Sequence, residues 1–277
     1  MPELPEVEAC RRCFEAWLAD RTVVFADAPD PCAIRPTLST RPSEALPGGT
    51  DLWAKTRGPL VRTHRIAKRL GLVIGDRAWK LHLGMTGRWV RRTNETPGSH
   101  VRLRLQLDDR SWLWFEDSRR FGCVAPVETG RLDEDLGEGL GPDAWNTPLT
   151  AVQWRERLRG RRPIKVALLY QAVVGGLGNI HAAEALWRAG IHPEQPCDSV
   201  TMDQLSRLAL AVHQHLAAAI GEIDVEEYVY VNQGGENTFS VYDREGEPCG
   251  RCGSPIEQIR LGGRSTAWCP TCQPMVK

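Results

Sequence analysis

Four cysteines near the C-terminus, Cys249-x2-Cys252 and Cys269-x2-Cys272, constrain this chain more than any other feature. Two thiolate pairs separated by sixteen residues suit one tetrahedral zinc on two hairpin knuckles. All four ligands are protein sulfurs, so no coordination position is left for water or substrate. The zinc is therefore expected to be structural, within a finger over residues 241–277. Arg264-Ser265-Thr266 falls between the pairs, at the expected finger tip. A fixed guanidinium beside small hydroxyls suits a phosphate. Cys10-x2-Cys13 has no second pair and lies in an expected helix, so it reads as helix-face packing. The chain lacks an apolar signal core, so the cysteines outside the finger are expected to be reduced thiols.

The rest of the chain is long enough for two domains at 277 residues. Hydrophobic residues make up 42% and charged residues 25%, as in a soluble globular protein with a real core. No apolar run is long enough to span a membrane. The 35 basic and 35 acidic residues cancel, so any nucleic-acid binding must come from local patches. After a first helix, residues 21–125 carry short apolar-polar alternations such as Val101-Arg102-Leu103-Arg104-Leu105-Gln106-Leu107. These read as antiparallel strands of a sandwich or barrel. Residues 27–60 are rich in Pro, Gly and Thr and read as loop. The N-terminal β domain is placed at 1–130 and an acidic Gly/Pro-rich linker at 131–148. A helical domain follows at 149–240, with Leu205, Leu208, Ala209, Val212 and Leu216 at helical steps.

The first eight residues, Met1-Pro2-Glu3-Leu4-Pro5-Glu6-Val7-Glu8, read as a helix start, with Pro early and acids in the first turn. Met before Pro is normally trimmed, which would leave Pro2 with a free secondary amine. A terminal amine titrates near pH ~8, so part of it is a neutral nucleophile able to form a Schiff base. Glu3 beside it can shuttle protons. From these residues alone, a simple capped helix is the favoured reading.

Three turns add to this. Val174-Gly175-Gly176-Leu177-Gly178-Asn179 opens a helix, and helix N-terminal amides with Asn179 make an anion site that Lys165 can reach. His82-Leu83-Gly84-Met85-Thr86-Gly87 and Asp117-Ser118-Arg119-Arg120-Phe121-Gly122 each present an apolar side chain at a turn. An enzyme that extrudes a nucleotide must fill the hole left in the stack, and apolar wedges with a cation suit that job. Met85 and Phe121 taken singly also fit core packing.

Together these stretches, in this order, resemble the bacterial formamidopyrimidine-DNA glycosylase and endonuclease VIII family, and more closely its formamidopyrimidine branch. The matching stretches are Pro2 to Glu8, His82 to Gly87, Arg119 to Gly122, Gly178-Asn179-Ile180 with Ala183-Glu184-Ala185-Leu186, and Gly246 through Gln273. The resemblance implies an α+β multi-domain chain. It would combine an N-terminal antiparallel β-sandwich with flanking helices, a helix-two-turns-helix domain and a C-terminal zinc-finger β-hairpin. It implies a monomer acting on damaged double-stranded DNA in the bacterial cytoplasm, at the nucleoid, with one structural zinc and no catalytic metal. By position, Pro2 looks like the nucleophile, Glu3 its acid/base partner, and Glu6 and Glu184 supports. Lys68 matches a lysine that contacts phosphate and assists chemistry. His82, Met85, Arg119, Arg120 and Phe121 match DNA contacts, with Met85, Arg119 and Phe121 filling the void. Lys165, Asn179 and Arg264 match a phosphate clamp, and Cys249, Cys252, Cys269 and Cys272 the zinc ligands. The implied activity is that of a bifunctional glycosylase and abasic-site lyase working through a proline Schiff base and β,δ-elimination.

The chain departs from the family pattern in places. Ile66-Ala67 replaces Arg-Gly before Lys68, and Arg69 replaces an aromatic. The lesion-capping loop begins Gly221-Glu222-Ile223-Asp224 instead of Gly-Gly-Thr-Thr, and its Gly-Tyr-Phe element is missing. These changes put 8-oxoguanine preference in doubt. They favour abasic sites, formamidopyrimidines, bulky adducts or oxidised pyrimidines. The alternative from another class is a damaged-DNA binding protein without catalysis.

Overall fold

The computed structural model describes residues 2–93, 96–221, 223 and 237–275, which divide into compact units before and after the Glu138–Gly139 peptide. No described helix is long and apolar enough to cross a membrane.

The first unit begins with α1 (Leu4–Leu18) and β1 (Thr22–Asp27), then the short α2 (Gly49–Trp53). β2 (Gly58–Ile66), β3 (Arg69–Ile74), β4 (Arg77–His82) and β5 (Arg88–Arg92) follow. β6 (Val101–Leu107), β7 (Trp112–Glu116), β8 (Cys123–Val127) and α3 (Leu132–Gly137) complete it. The strands pair antiparallel in the order β5-β7-β6-β1-β2-β3-β4-β8. β1 and β2 share only the pairs Thr22↔Pro59 and Val23↔Gly58. The sheet therefore folds at that seam into two four-stranded halves, and side chains from both halves share one core. Leu70, Leu72, Trp79 and Leu81 of one half meet Leu103, Leu105, Leu113 and Phe115 of the other, with Phe14 of α1 and Trp53 of α2. This is the expected sandwich.

Period decides which faces are covered. In β6 every second residue is buried, as alternation requires when one face meets the core and the other meets solvent. β3 is buried on both faces because α3 lies on its outer side. Gly71 permits that approach, since a Cβ there would come within 2.8 Å of Leu136 and 2.9 Å of Leu132. Residues 132–137 thus form a packed helix inside the stretch expected to be linker. Their acidic composition hid it, because only Leu132 and Leu136 are buried. Arg69, where the family pattern has an aromatic, donates to the carbonyls of Leu136 and Glu138 at 2.9 and 2.8 Å. It caps the C-terminus of α3, where a cation is favoured.

The second unit holds α4 (Ala151–Arg157), α5 (Ile164–Leu168), α6 (Asn179–Ala189), α7 (Met202–Gly221) and the hairpin β9 (Glu257–Leu261) with β10 (Arg264–Trp268). The apolar stripe of α7 is buried as its spacing predicts at Leu205, Leu208, Val212 and Leu216, with Ala209 half-buried. Ala183 of α6 packs on Ile256 and Ala267, which seats the finger on the helices.

Arg57, Arg62, Arg65, Lys68 and Arg69 lie close together in the sequence, and the structure separates them by partner. Arg62 pairs with Asp133 on the surface, whereas Arg65 is 2% exposed and pairs with Glu8 of α1 at 3.1 Å. Burial raises the Glu8 carboxyl pKa, but the guanidinium groups of Arg11, Arg65 and Arg12 outweigh it and hold the net value below the ordinary one. Removing one member of a buried pair costs about 3–5 kcal/mol, because the other charge is stranded. Glu8→Gln should therefore lower the unfolding free energy by roughly that amount. Urea titration checks it, and a loss below about 1 kcal/mol, the scale of a surface pair, would deny the pair this role.

Candidate active site and nucleic-acid interface

The N-terminal corner is built by α1. Pro2 is buried, and Glu3 is 1% exposed. The Glu6 carboxylate accepts the Glu3 N–H at 2.7 Å, which closes the first turn. That bond fixes the peptide joining Pro2 to Glu3. Five residues after Glu3, Glu8 grips Arg65, and Arg65 Nη1 donates to the Ala67 carbonyl at 3.1 Å. Ala67 and Lys68 form the two-residue turn between Ile66 and Arg69, paired across β2 and β3. Ala67 sits at φ +55°, the conformation glycine adopts without strain. Lys68 is thus held at a hairpin tip, half-buried, by a chain of bonds that starts on the N-terminal helix.

His82 lies across from Arg69 on β4. Its Nδ1 accepts the Gly84 N–H at 3.0 Å, so in the neutral ring the proton is on Nε2. Burial, with the charges of Lys68 and Arg69, pushes its pKa from 6.5 down to about 4. His82 therefore meets a partner as a neutral donor at physiological pH.

The two turns expected to enter DNA are bonded to each other. Thr86 Oγ1 contacts Asp117, and the Arg119 N–H donates to Thr86 Oγ1 at 3.2 Å. Asp117 Oδ2 accepts the Gly122 N–H at 2.7 Å. Gly84 (φ +67°) allows the approach, since a Cβ there would lie 2.4 Å from the Gly122 nitrogen. Phe121 is 41% exposed with the Arg119 guanidinium 5.2 Å from its ring centre, so it projects from the surface instead of packing in the core. Met85 is half-buried. Arg120 turns back, and its Nε and Nη2 each donate to Asp30 at 2.8 Å.

In the second unit Lys165 is 0% exposed, and its ammonium donates to Asn179 Oδ1 at 2.7 Å. Asn179 Nδ2 donates to the Ser265 carbonyl at 2.9 Å. The start of α6, Lys165 and the finger tip beside Arg264 are therefore one cluster, with Arg264 exposed. Glu184 accepts the backbone N–H groups of Ser240, Val241 and Tyr242 at 3.0, 2.8 and 3.0 Å. Its carboxylate anchors this stretch. Of the expected lesion-capping loop, residues 222 and 224–236 lie outside the described residues.

The thiol sulfurs of Cys249, Cys252, Cys269 and Cys272 all lie within 4.8 Å of one another, with Cys249–Cys272 at 3.9 Å and Cys252–Cys269 at 3.4 Å. A zinc tetrahedron with Zn–S bonds of about 2.3 Å has sulfur–sulfur edges of about 3.8 Å. The donor set fits zinc as it stands.

Sequence reasoning missed Asp30, Arg35, Arg65, Asp117 and Thr86. Each acts through main-chain groups or a partner distant in the chain, so none shows periodicity or spacing. It also missed the buried pair His181–His215, whose ring nitrogens are 2.8 Å apart. Burial holds the His215 pKa well below its ordinary value, with the neighbouring His181 adding to the effect.

Two outcomes are expected. Because the folded pKa of His82 is depressed, the unfolded chain takes up that proton first as pH falls. Its contribution is complete above pH 6.5 and is lost as pH falls toward about 4. Urea unfolding between pH 7 and 4.5 should show a smaller loss for His82→Gln than for the parent, by up to about 1.4 kcal/mol per pH unit; equal losses would exclude a depressed His82. In the finger, Cys269→Ser should lose zinc and duplex affinity together. Arg264→Ala should keep zinc while binding DNA with a salt slope shallower by about one unit. Metal analysis finding no zinc in fresh protein would contradict this.

Three family models cover the chain. The formamidopyrimidine-DNA glycosylase N-terminal domain matches residues 1–124, the formamidopyrimidine-DNA glycosylase H2TH domain 140–228, and the zinc finger found in FPG and IleRS 246–274. The formamidopyrimidine-DNA glycosylase of Gluconobacter oxydans (strain 621H) is 39% identical over 99% of this chain and 100% of its own length. That of Chloroflexus aggregans (strain MD-66 / DSM 9485) is also 39% identical, over the whole of both chains. The Lactococcus lactis Fpg, solved in complex with DNA containing an abasic site, superposes with a TM-score of 0.84 at 29% identity, covering 99% of this chain and 100% of that one. On these matches, end to end and in order, the chain belongs to the formamidopyrimidine-DNA glycosylase family.

Proposed function

We propose that this protein is a bifunctional base-excision enzyme that removes a damaged base from duplex DNA and then cuts the strand at the resulting site. It works as a monomer in the cytoplasm. Processing of Met1 frees the Pro2 amine, whose lone pair attacks C1′ of an everted nucleotide. The bond from C1′ to the base breaks, and the base leaves with a proton. The sugar ring opens as the Pro2 nitrogen forms an iminium, with Glu3 shuttling the proton between the ring oxygen and solvent. The iminium acidifies the C2′ protons, so loss of one expels the 3′ phosphate. A second elimination expels the 5′ phosphate, and water releases Pro2. No step transfers electrons to an acceptor.

The observation that carries this reading is the corner itself. Glu3 is buried beside Pro2, Glu6 fixes the peptide between them, and Glu8 through Arg65 ties the same helix to the Lys68 turn. These bonds support a rigid nucleophile, with Lys68 at a fixed hairpin tip to meet a phosphate. Met85, Arg119 and Phe121 fill the vacated stack, and neutral His82 donates to the backbone. Lys165, Asn179 and Arg264 grip a phosphate from the second unit. Glu184 holds the stretch that follows the lesion loop, which makes it a support of the pocket and not a reacting group. Arg120 supports the turn through Asp30. Because Glu222, Ile223 and Asp224 stand at the root of that loop, the lesion is a ring-opened or bulky purine or an oxidised pyrimidine at least as readily as 8-oxoguanine.

Borohydride trapping on a panel of duplexes tests both parts. The processed protein should form a covalent complex with abasic DNA and with the preferred lesion, and a form retaining Met1 should form none. Trapping by the Met1-retaining form would remove Pro2 from the chemistry. Single-turnover excision of 8-oxoguanine much faster than every other lesion would remove the lesion assignment alone.

A further inference from the structure

Arg35 lies between β1 and α2, in the stretch of prolines and threonines that shows no periodic signal. It is 3% exposed, and a guanidinium buried that deeply must have its donors satisfied. It spends them on main-chain carbonyls. Nε donates to Cys32 at 3.1 Å, Nη1 to Phe121 at 3.3 Å and to Thr40 at 3.5 Å, and Nη2 to Arg120 at 2.9 Å and Gly122 at 3.3 Å. Three of those carbonyls are consecutive and belong to the turn that presents Arg119 and Phe121.

That turn does not hold its shape by local preference. Arg120 sits at φ +61°, a left-handed conformation that side-chain-bearing residues rarely adopt. Such a conformation persists where the surroundings impose it. The same segment imposes it twice, since Asp30 accepts the Arg120 side chain at two positions, each at 2.8 Å, while Arg35 holds its carbonyl. The segment is itself docked on the sheet. The Arg35 N–H donates to the Val124 carbonyl at 2.9 Å, and the Asp30 N–H to the Arg102 carbonyl at 3.2 Å. With Arg120 gripped at both ends, its neighbours Arg119 and Phe121 project outward.

The geometry points to Arg35 and Asp30 as positioning residues that preset the Arg119–Phe121 turn in the shape that enters the base stack. This rests on the wedge role proposed above for Arg119 and Phe121. A turn already shaped has little ordering left to do on insertion, so the clamp speeds base eversion. It contributes nothing special to a site whose base is already gone.

Arg35→Lys keeps the charge but replaces a fork that reaches several carbonyls with a single ammonium. Asp30→Asn leaves the Arg35 bonds and weakens the hold on the Arg120 side chain. Both would be compared with the parent, at matched zinc content and unfolding midpoint, in single-turnover reactions on two duplexes. One carries the lesion the parent excises fastest, and the other an abasic site. A 2-aminopurine next to the lesion reports unstacking. The expected result is base excision and the fluorescence rise slowed by about 10- to 100-fold, the cost of a small misplacement near a reacting centre, with abasic-site cleavage nearly unchanged. Equal slowing on both duplexes, or no slowing on either, overturns the inference. If Arg35→Lys does not fold, Asp30→Asn decides alone by the same ratio. A parent protein that neither excises nor traps overturns the proposed function, and this inference with it.

Discussion

The Glu8 carboxylate is the point on which the catalytic unit turns. It sits two residues beyond the Glu3–Glu6 start and receives Arg11, Arg12 and the buried Arg65. Arg65 then reaches the carbonyl of Ala67 and so the turn that carries Lys68. A buried ion pair of this kind adds little net stability over a well-packed apolar pair, but breaking half of it is costly. Its value here is geometric. It forces α1 and the β2–β3 hairpin into one relative position, and the groups proposed to attack the sugar and hold its phosphate ride on those two elements.

The same economy appears at the rim of the first unit. Asp117, Thr86 and Arg35 are not aimed at a partner. They hold main-chain groups of the 117–122 turn and tie it to the 82–87 turn, and those turns display Met85, Arg119 and Phe121. An exposed aromatic under a guanidinium is a poor core residue and a ready stacking surface for bases. In the second unit a fully buried lysine, an asparagine at a helix start and the finger hairpin converge, with the finger's shape resting on four thiolates. Both units therefore present a few charges at defined places, Arg119 over the Phe121 ring and Lys165 on the Asn179 side chain. That is how a chain with no net charge can still offer cationic ground to a polyanion.

Much of this was legible in the residues, and what was not has a physical cause. Alternation in β6 and the stripe along α7 announced themselves because each depends on one face meeting one core, a local and periodic condition. α3 did not, because its six residues bury only two leucines and its acids look like solvated linker. Arg65 and Arg69 lie close to Arg62 and Lys68 in the sequence, yet one is a buried counter-ion and the other a helix cap. Nothing in their neighbours separates them from Arg62 on the surface.

The sequence by itself determined the metal ligands, the strand alternation of the sandwich, a helix start around Pro5 and the family. Each of these is carried by residue type at fixed short spacing, which the backbone converts directly into position. Only the tertiary structure decided that Glu184 anchors residues 240–242, that Arg120 turns back to Asp30, and that Arg35 supports the exposed turn. It also decided that His82 is neutral. Those outcomes depend on which carbonyl, carboxylate or charge arrives from a distant part of the chain, and hydrogen bonds to main-chain groups leave no trace in the identity of the residues that supply them.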